Sequence, residues 1–221
     1  MPNPNLLLVE GKDEEYTIPY FMDRFVEWGN TNEEWLVEIK EQGGIKELLK
    51  RSNFKAHAKT TGLKALGIIL DADNEFESRW ASVRELCRLV DPHFPGELPV
   101  DGLVHITPDN LRLGVWIMPD NRSSGMLETF LRSDASLART PLWDLAIRSC
   151  QEAGRLEGSF KEVHLPKAEI HTILAWIDPP GKRLQEAIRD RVMDTKGDLS
   201  RSFAAWMINL FQLTARPIGT P

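Results

Sequence analysis

The sequence is poor in everything that would hold a small protein together from outside its hydrophobic core. Only two of the 221 residues are cysteine, Cys87 and Cys150. Each lies in a helix-like apolar pattern with no CxxC or Cys/His cluster nearby, which excludes a disulfide framework or a zinc site of that kind and points to a reducing compartment. The five histidines, His57, His93, His105, His164 and His171, show no ligand spacing. No apolar run approaches the roughly 20 residues needed to span a bilayer, and no basic-then-apolar leader precedes the first strand. The expectation is a soluble, cytoplasmic protein with no membrane partner. The P-loop pattern GxxxxGKS/T is also missing, so that route to nucleotide chemistry is excluded.

Positive charge is scarce as well. Against 33 Asp and Glu stand 27 Lys and Arg, a net charge of −6. This argues against indiscriminate binding to nucleic acid, because phosphate-backbone affinity comes from Lys and Arg displacing counterions. The deficit is uneven. From Gly181 onward seven basic residues (Lys182, Arg183, Arg189, Arg191, Lys196, Arg201, Arg216) face four acids (Glu186, Asp190, Asp194, Asp198), which leaves the first 180 residues at −9. That segment reads either as a phosphate-facing surface or as solvated helix charges.

What remains is ordinary globular material, 42% hydrophobic and 27% charged, enough for one sizeable α/β core or one core plus an appendage. Asn5 to Val9 is a short continuous apolar run that closes on Glu10 and Gly11, which suits a strand buried on both faces. A helix is expected from about Asp13 to Trp28, with acids crowding the first turn, where the helix dipole favours them. Trp35–Ile39 reads as a second strand, Gly43-Gly44 as a break, and Ile45 to about Lys59 as a helix. Ala65–Leu70 is the clearest strand and ends at Asp71-Ala72-Asp73-Asn74-Glu75. Phe76–Val90 follows as a helix. Leu103–Ile106 and Leu113–Met118 read as a hairpin or as two sheet strands. A polar loop from Pro119 to Gly125 opens a short helix at about Met126–Leu131. Further helices are expected at Leu142–Ala153, Ala168–Trp176, Leu184–Val192 and Phe203–Leu213. Strands alternating with helices predict an α/β fold: a mostly parallel central sheet with helices on both faces and a helical C-terminal extension, with ligands at the carboxyl ends of the strands. The expected division is a core over residues 1–135 and an extension over 136–221 packed on it.

Two of the three best strands end in acids, Glu10 and Asp71/Asp73. In a parallel sheet those ends share one edge. Asp71 and Asp73 are two residues apart, so an extended backbone turns both to one face, and a hard, oxygen-seeking cation such as Mg²⁺ relieves the repulsion of carboxylates packed together. Gly11 permits the tight turn after the strand, and Gly67 permits close approach within the other. A plainer reading of each part stands beside this one: Asp73 or Asn74 caps the helix that begins near Phe76, and Glu10 is a loop acid. The tryptophans mostly sit in apolar patterns, which favours packing over base stacking.

Leu7-Leu8-Val9-Glu10-Gly11-Lys12-Asp13-Glu14, followed some sixty residues later by Ile68-Ile69-Leu70-Asp71-Ala72-Asp73, resembles the Toprim domain shared by topoisomerases, DnaG-type primases, RecR-like recombination proteins and the overcoming-lysogenization-defect (OLD) nucleases. Gly125-Met126-Leu127-Glu128 looks like the further acidic motif of the OLD-like branch. The spacing of Glu14 from Glu10 and the position of Lys167 also resemble that branch, and the chain looks most like stand-alone prokaryotic Toprim proteins that lack the OLD ATPase module.

The resemblance implies a Toprim (Rossmann-like) fold and phosphodiester chemistry on nucleic acid assisted by Mg²⁺, with Mn²⁺ as a substitute. It implies Asp71, Asp73 and Glu128 as metal ligands and Glu10 as ligand or general base. Glu14 and Glu75 are second-site ligands or helix-surface acids. Lys167 is a catalytic cation near the metals or a solvated residue at a helix start. Gly11, Lys12 and Ser124, with Ser123 beside it, are candidate phosphate contacts or a polar turn. The implied activity is that of a nuclease. The alternatives are a non-catalytic binding module of a repair or phage-defence complex, with an ATPase or other protein partner, and a nucleotide phosphohydrolase. The oligomeric state is open.

Overall fold

The computed structural model describes residues 3–29, 31, 34–134, 140–156 and 160–217. Five strands form one sheet: β1 (Asn5–Val9), β2 (Glu38–Glu41), β3 (Ala65–Asp71), β4 (Leu103–Ile106) and β5 (Arg112–Met118), in the order β2-β1-β3-β5-β4. All neighbours pair in parallel except β4, which returns from β5 as the antiparallel arm of a hairpin. The expected mostly parallel α/β sheet with helices on both faces is therefore the observed architecture.

The central strands are apolar between their ends because both of their faces are covered. Leu6, Leu8, Leu66, Ile68, Leu70, Leu113, Val115 and Ile117 point into one core, packed by α2 (Ile45–Leu48), α3 (Arg51–Ala58) and α4 (Phe76–Cys87). The alternate residues Leu7, Val9, Ile69, Trp116 and Met118 point into the other. That side is filled by α1 (Lys12–Met22), α5 (Leu127–Asp134), α6 (Pro141–Ala153), α7 (Leu165–Ala175), α8 (Leu184–Arg189) and α9 (Asp198–Phe211). The helices of the C-terminal third thus share a core with the sheet. The expected boundary at 135/136 lies outside the described residues.

Several elements differ from their expected limits for local physical reasons. The first helix stops at Met22 rather than near Trp28, because Val26 pairs with Ala215 and the Phe25 carbonyl accepts from Arg216 N at 2.7 Å. The helix expected from Ile45 to Lys59 breaks at Lys50, whose backbone is extended. Leu48 and Phe54 are both buried in the same core, yet six residues on one continuous helix differ by about 240°, so the break lets both reach it. The second strand is shifted to Glu38–Glu41, an edge strand in which only Ile39 is buried. Asp73 and Asn74 do not cap α4; its N-cap is Glu75, without a side-chain bond.

Of the tryptophans in apolar patterns, Trp80, Trp116, Trp143 and Trp206 are buried, whereas Trp176 is 42% exposed. Both cysteines are buried and free. Among the described residues no helix is long and apolar enough to cross a membrane.

Helix α9 approaches the sheet over a notch made by two glycines that face each other in register, Gly67 of β3 and Gly114 of β5. A Cβ at Gly114 would stand 2.4 Å from Leu210 Cδ2, and one at Gly67 would stand 2.7 Å from Leu7 Cδ1 and 2.9 Å from Leu210 Cδ2. The notch is what Leu210, which is fully buried, fills. Gly114→Ala should overpack it and lower unfolding stability in urea melts by about 1–3 kcal/mol. Adding Leu210→Ala should cost less in the Gly114→Ala background than in the parent.

Candidate functional site

Three strand ends build the site. β1 hands Glu10 to the carboxyl edge of the sheet, β3 closes on Asp71, and β5 closes on Met118, the register partner of Asp71. The loop after Met118 then turns back. Asn121 pins it, its Oδ1 accepting from Ile117 N at 2.7 Å and its Nδ2 donating to Val100 O at 3.1 Å. Asp73 and Gly125 exchange both backbone hydrogen bonds, at 2.8 and 2.7 Å, which sets α5 directly beyond β3 with Glu128 in its first turn. Glycine is required at 125: its φ is 143°, and a Cβ would lie 2.9 Å from Thr129 Oγ1. That hydroxyl accepts from Met126 N at 3.2 Å, next to the start of the helix.

The carboxylates crowd at this edge. Asp71 Oδ1 accepts from Leu127 N at 3.1 Å. Burial, and then the charges of Glu14, Glu10, Glu128 and Asp73, push the Asp71 carboxyl well above the usual range. Glu14 is buried rather than on the helix surface, and its Oε2 accepts from Gly11 N at 3.0 Å. Burial, with Glu128 and Glu10 nearby, raises its carboxyl to about 7. Glu10 is raised by burial and by Asp73, partly offset by Arg79 and by backbone hydrogen bonds at Asp71 and Ile45. Its Oε2 is buried with no hydrogen-bond partner among the described residues.

Asp73 departs from the expected geometry. Its φ of 49° is left-handed, so it does not share a face with Asp71 by strand alternation. The left-handed turn is what permits the exchange with Gly125, and it presents the carboxylate to Arg79 of α4 at 2.7 Å. From the far side, α7 supplies Lys167, whose Nζ lies 2.6 Å from Asp13 Oδ2 and 3.4 Å from Glu128 Oε1. Burial alone would lower this ammonium's pKa, but Glu128 and Asp13 outweigh it and the net shift is upward.

Glu10, Glu14, Asp71, Asp73, Glu128 and Lys167 are therefore brought together from β1, α1, β3, α5 and α7. Glu75, Lys12 and Ser124 are exposed and lie outside this cluster. Ser123 donates to Asp120 Oδ2 at 2.9 Å, and the Gly11 N–H is already used by Glu14. Sequence reasoning assigned no role to Arg79 or Asp13, the partners of Asp73 and Lys167. Asp13 lies within the Glu-Gly-Lys-Asp-Glu segment, whereas nothing in the sequence marks Arg79.

The donor chemistry fits a hard divalent cation: several carboxylates, with one oxygen of Glu10 unpartnered among the described residues. The positions are not those of a closed ligand shell. Among the described residues no three Asp, Glu, His or Cys side chains stand together as a set able to hold an ion. Each carboxylate is turned onto a protein donor instead, Arg79 and Lys167 among them.

A family model described as "Protein of unknown function (DUF3226)" matches residues 4–212. No curated protein matches the chain. Among solved structures, the chain is similar to the C-terminal region of the Xanthomonas campestris pv. campestris OLD protein. The mercury-phased structure aligns with a TM-score of 0.46 at 15% identity, over 96% of this chain and 98% of that one. The iodine-phased structure aligns with a TM-score of 0.44 at 14% identity, over 96% and 97%.

A carboxyl whose pKa is raised on folding binds more protons in the native than in the unfolded state, so stability falls as pH rises through the interval between the two values. For Glu14 that interval runs from 4.5 to about 7, which corresponds to about 3 kcal/mol once it is crossed. Without divalent cations, Glu14→Gln should match the parent near pH 4 and exceed it in urea-melt stability at pH 8. Its remaining amide oxygen still accepts from Gly11.

Proposed function

The chain belongs to the DUF3226 family, and we propose that it is a Mg²⁺-dependent enzyme of phosphodiester chemistry on nucleic acid, a nuclease of the Toprim kind. One observation carries this reading: the Asp71 carboxyl feels four other carboxylates delivered from separate elements to one sheet edge. Without a cation such an arrangement is self-repelling, and folds keep it where an ion or a reaction uses it. The Toprim resemblance of the Glu-Gly and Asp-x-Asp elements supplies the substrate class.

Asp71, Asp73, Glu128 and Glu10 form the ligand set in this reading, and Glu14 serves a second ion. When bound, Mg²⁺ neutralises the phosphoryl oxygens and increases the acidity of the attacking water. Glu10, with its carboxyl raised and Oε2 unpartnered, accepts the proton from that water. Lys167 is held at the same edge by Asp13 and Glu128, where its ammonium stabilises charge developing on the leaving oxygen. The expected result is cleavage of labelled DNA or RNA in Mg²⁺ or Mn²⁺ that is removed by chelation, reduced at least 100-fold by Asp71→Asn, and reduced about 100–1,000-fold by Lys167→Ala. Absence of any metal-dependent, Asp71-dependent cleavage across single- and double-stranded DNA and RNA would overturn the nuclease reading.

A second reading is favoured by the two cations already seated on the carboxylates, Arg79 and Lys167: a non-catalytic module that uses this edge for association. It predicts nucleic-acid or protein binding that survives both chelation and Asp71→Asn.

A further inference from the structure

The basic C-terminal segment is not absorbed by the carboxylate edge. Five of its seven cations, Arg189, Arg191, Lys196, Arg201 and Arg216, line a single cavity of about 660 Å³, and Arg24 joins them. The cavity lies between α8, α9 and the C-terminal end of α1. The carboxylate edge meets the other end of that helix, and 11 residues of helix span about 16 Å. The volume is that of a small-molecule site.

The charge here is out of balance in a chain that is acidic elsewhere. Six cations line the cavity with two carboxylates, Asp23 and Asp194. Counting the neighbours Asp190 and Asp198, which pair with Arg189 and Arg201, the cations still outnumber the acids by two. Five of the six have partners within the protein: Lys196 pairs with Asp194 at 3.0 Å, Arg201 with Asp198 at 2.5 Å and Arg189 with Asp190 at 2.9 Å, and the other two also hold backbone carbonyls. Arg24 pairs with Asp194 and donates to Ile188 O at 2.9 Å, while Arg216 pairs with Asp23 and donates to Val26 O at 3.0 Å. Both therefore serve carbonyls at helix or strand ends.

Arg191 does not. Its guanidinium has no ion pair or hydrogen bond among the described residues, and it is exposed. It stands just past the end of α8 with a φ of 59°, a left-handed position that favours glycine and disfavours a long side chain by about 1 kcal/mol. Its charge also crowds Arg24. An arginine placed in a strained glycine position, beside other cations and with no internal partner, is explained by an anion that it binds.

The lining is not only charged: Tyr20, Phe25, Ile188, Ala205 and Ile208 also contribute to it. A bare inorganic anion has no use for such an apolar lining, whereas a planar ring does.

We propose that this cavity binds a free mononucleotide, with its base against Phe25, Ala205 and Ile208 and its phosphate on Arg191, Lys196 and Arg201. The site is separate from the carboxylate edge and does not depend on the metal reading.

Calorimetric titration of the full chain with AMP and ADP in EDTA tests this, with inorganic phosphate and a twelve-nucleotide single strand as comparison arms. The expected result is saturable nucleotide binding that weakens with salt, is unchanged in Asp71→Asn, and falls at least tenfold in both Arg191→Gly and Arg201→Ala. Arg191→Gly relieves the left-handed backbone, so its melting temperature should equal or exceed the parent's while binding is lost. Equal affinity for phosphate alone would overturn the proposal, as would binding of the strand but not of AMP or ADP. Nucleotide binding that persists in both variants, or that disappears in Asp71→Asn, would overturn it too.

Discussion

Parallel pairing of β1, β3 and β5 is the constraint on which the rest of the molecule depends. Because all three strands run the same way, whatever follows each of them arrives at one edge. Here the arrivals are Glu10, Asp71 and, by way of the loop tied back through Asp73 and Gly125, Glu128. Carboxylates in a partly water-excluded edge repel one another more strongly than they would in bulk water. The fold offsets that repulsion in three ways. The carboxyls of Glu14 and Asp71 are shifted toward their neutral forms, peptide N–H groups of Gly11 and Leu127 point at carboxylate oxygens, and the side chains of Arg79 and Lys167 approach from opposite layers. A divalent ion would replace part of all three.

The layer that carries Lys167 is the layer the glycine notch admits. Leu210 sits against Gly67 and Gly114, Trp206 Nε1 donates to Leu103 O at 3.0 Å, and Arg112 Nε donates to Leu210 O at 2.7 Å. These contacts seat α9 on the sheet, and the aromatic cluster of Phe21, Phe130 and Phe203 joins α1 and α5 to it. The C-terminal helices therefore complete one of the two cores and bring a cation to the acid edge. On its other side α9 presents Arg201, Ala205 and Ile208 to the basic cavity, so one helix couples the packing of the sheet to both charged regions.

Polarity is consequently segregated along α1. Its first turn, rich in acids, faces the carboxylate edge, and its last turn leads into Asp23 and Arg24 at the basic cavity. The two regions have opposite charge and different neighbours.

The amino-acid sequence by itself determined the sandwich and the acids at its edge. A strand buried on both faces reads as a nearly continuous apolar run, as Leu6–Val9 and Ala65–Leu70 do, so Glu10 and Asp71 at their ends were legible as neighbours. Element limits and partners were not. The break at Lys50 arises because Leu48 and Phe54 seek the same core. The early end of α1 arises because a segment some 190 residues later takes its backbone partners. Asp73 turns left-handed to meet Gly125, a residue across the sheet edge. The pairing of Lys167 with Asp13 spans 154 positions, and the convergence of Arg24 with Arg191, Lys196 and Arg201 is likewise long-range. Local periodicity records which face of an element is buried, and that much can be read along the chain. Which side chain meets which across the layers depends on long-range packing, and only the tertiary structure decided it.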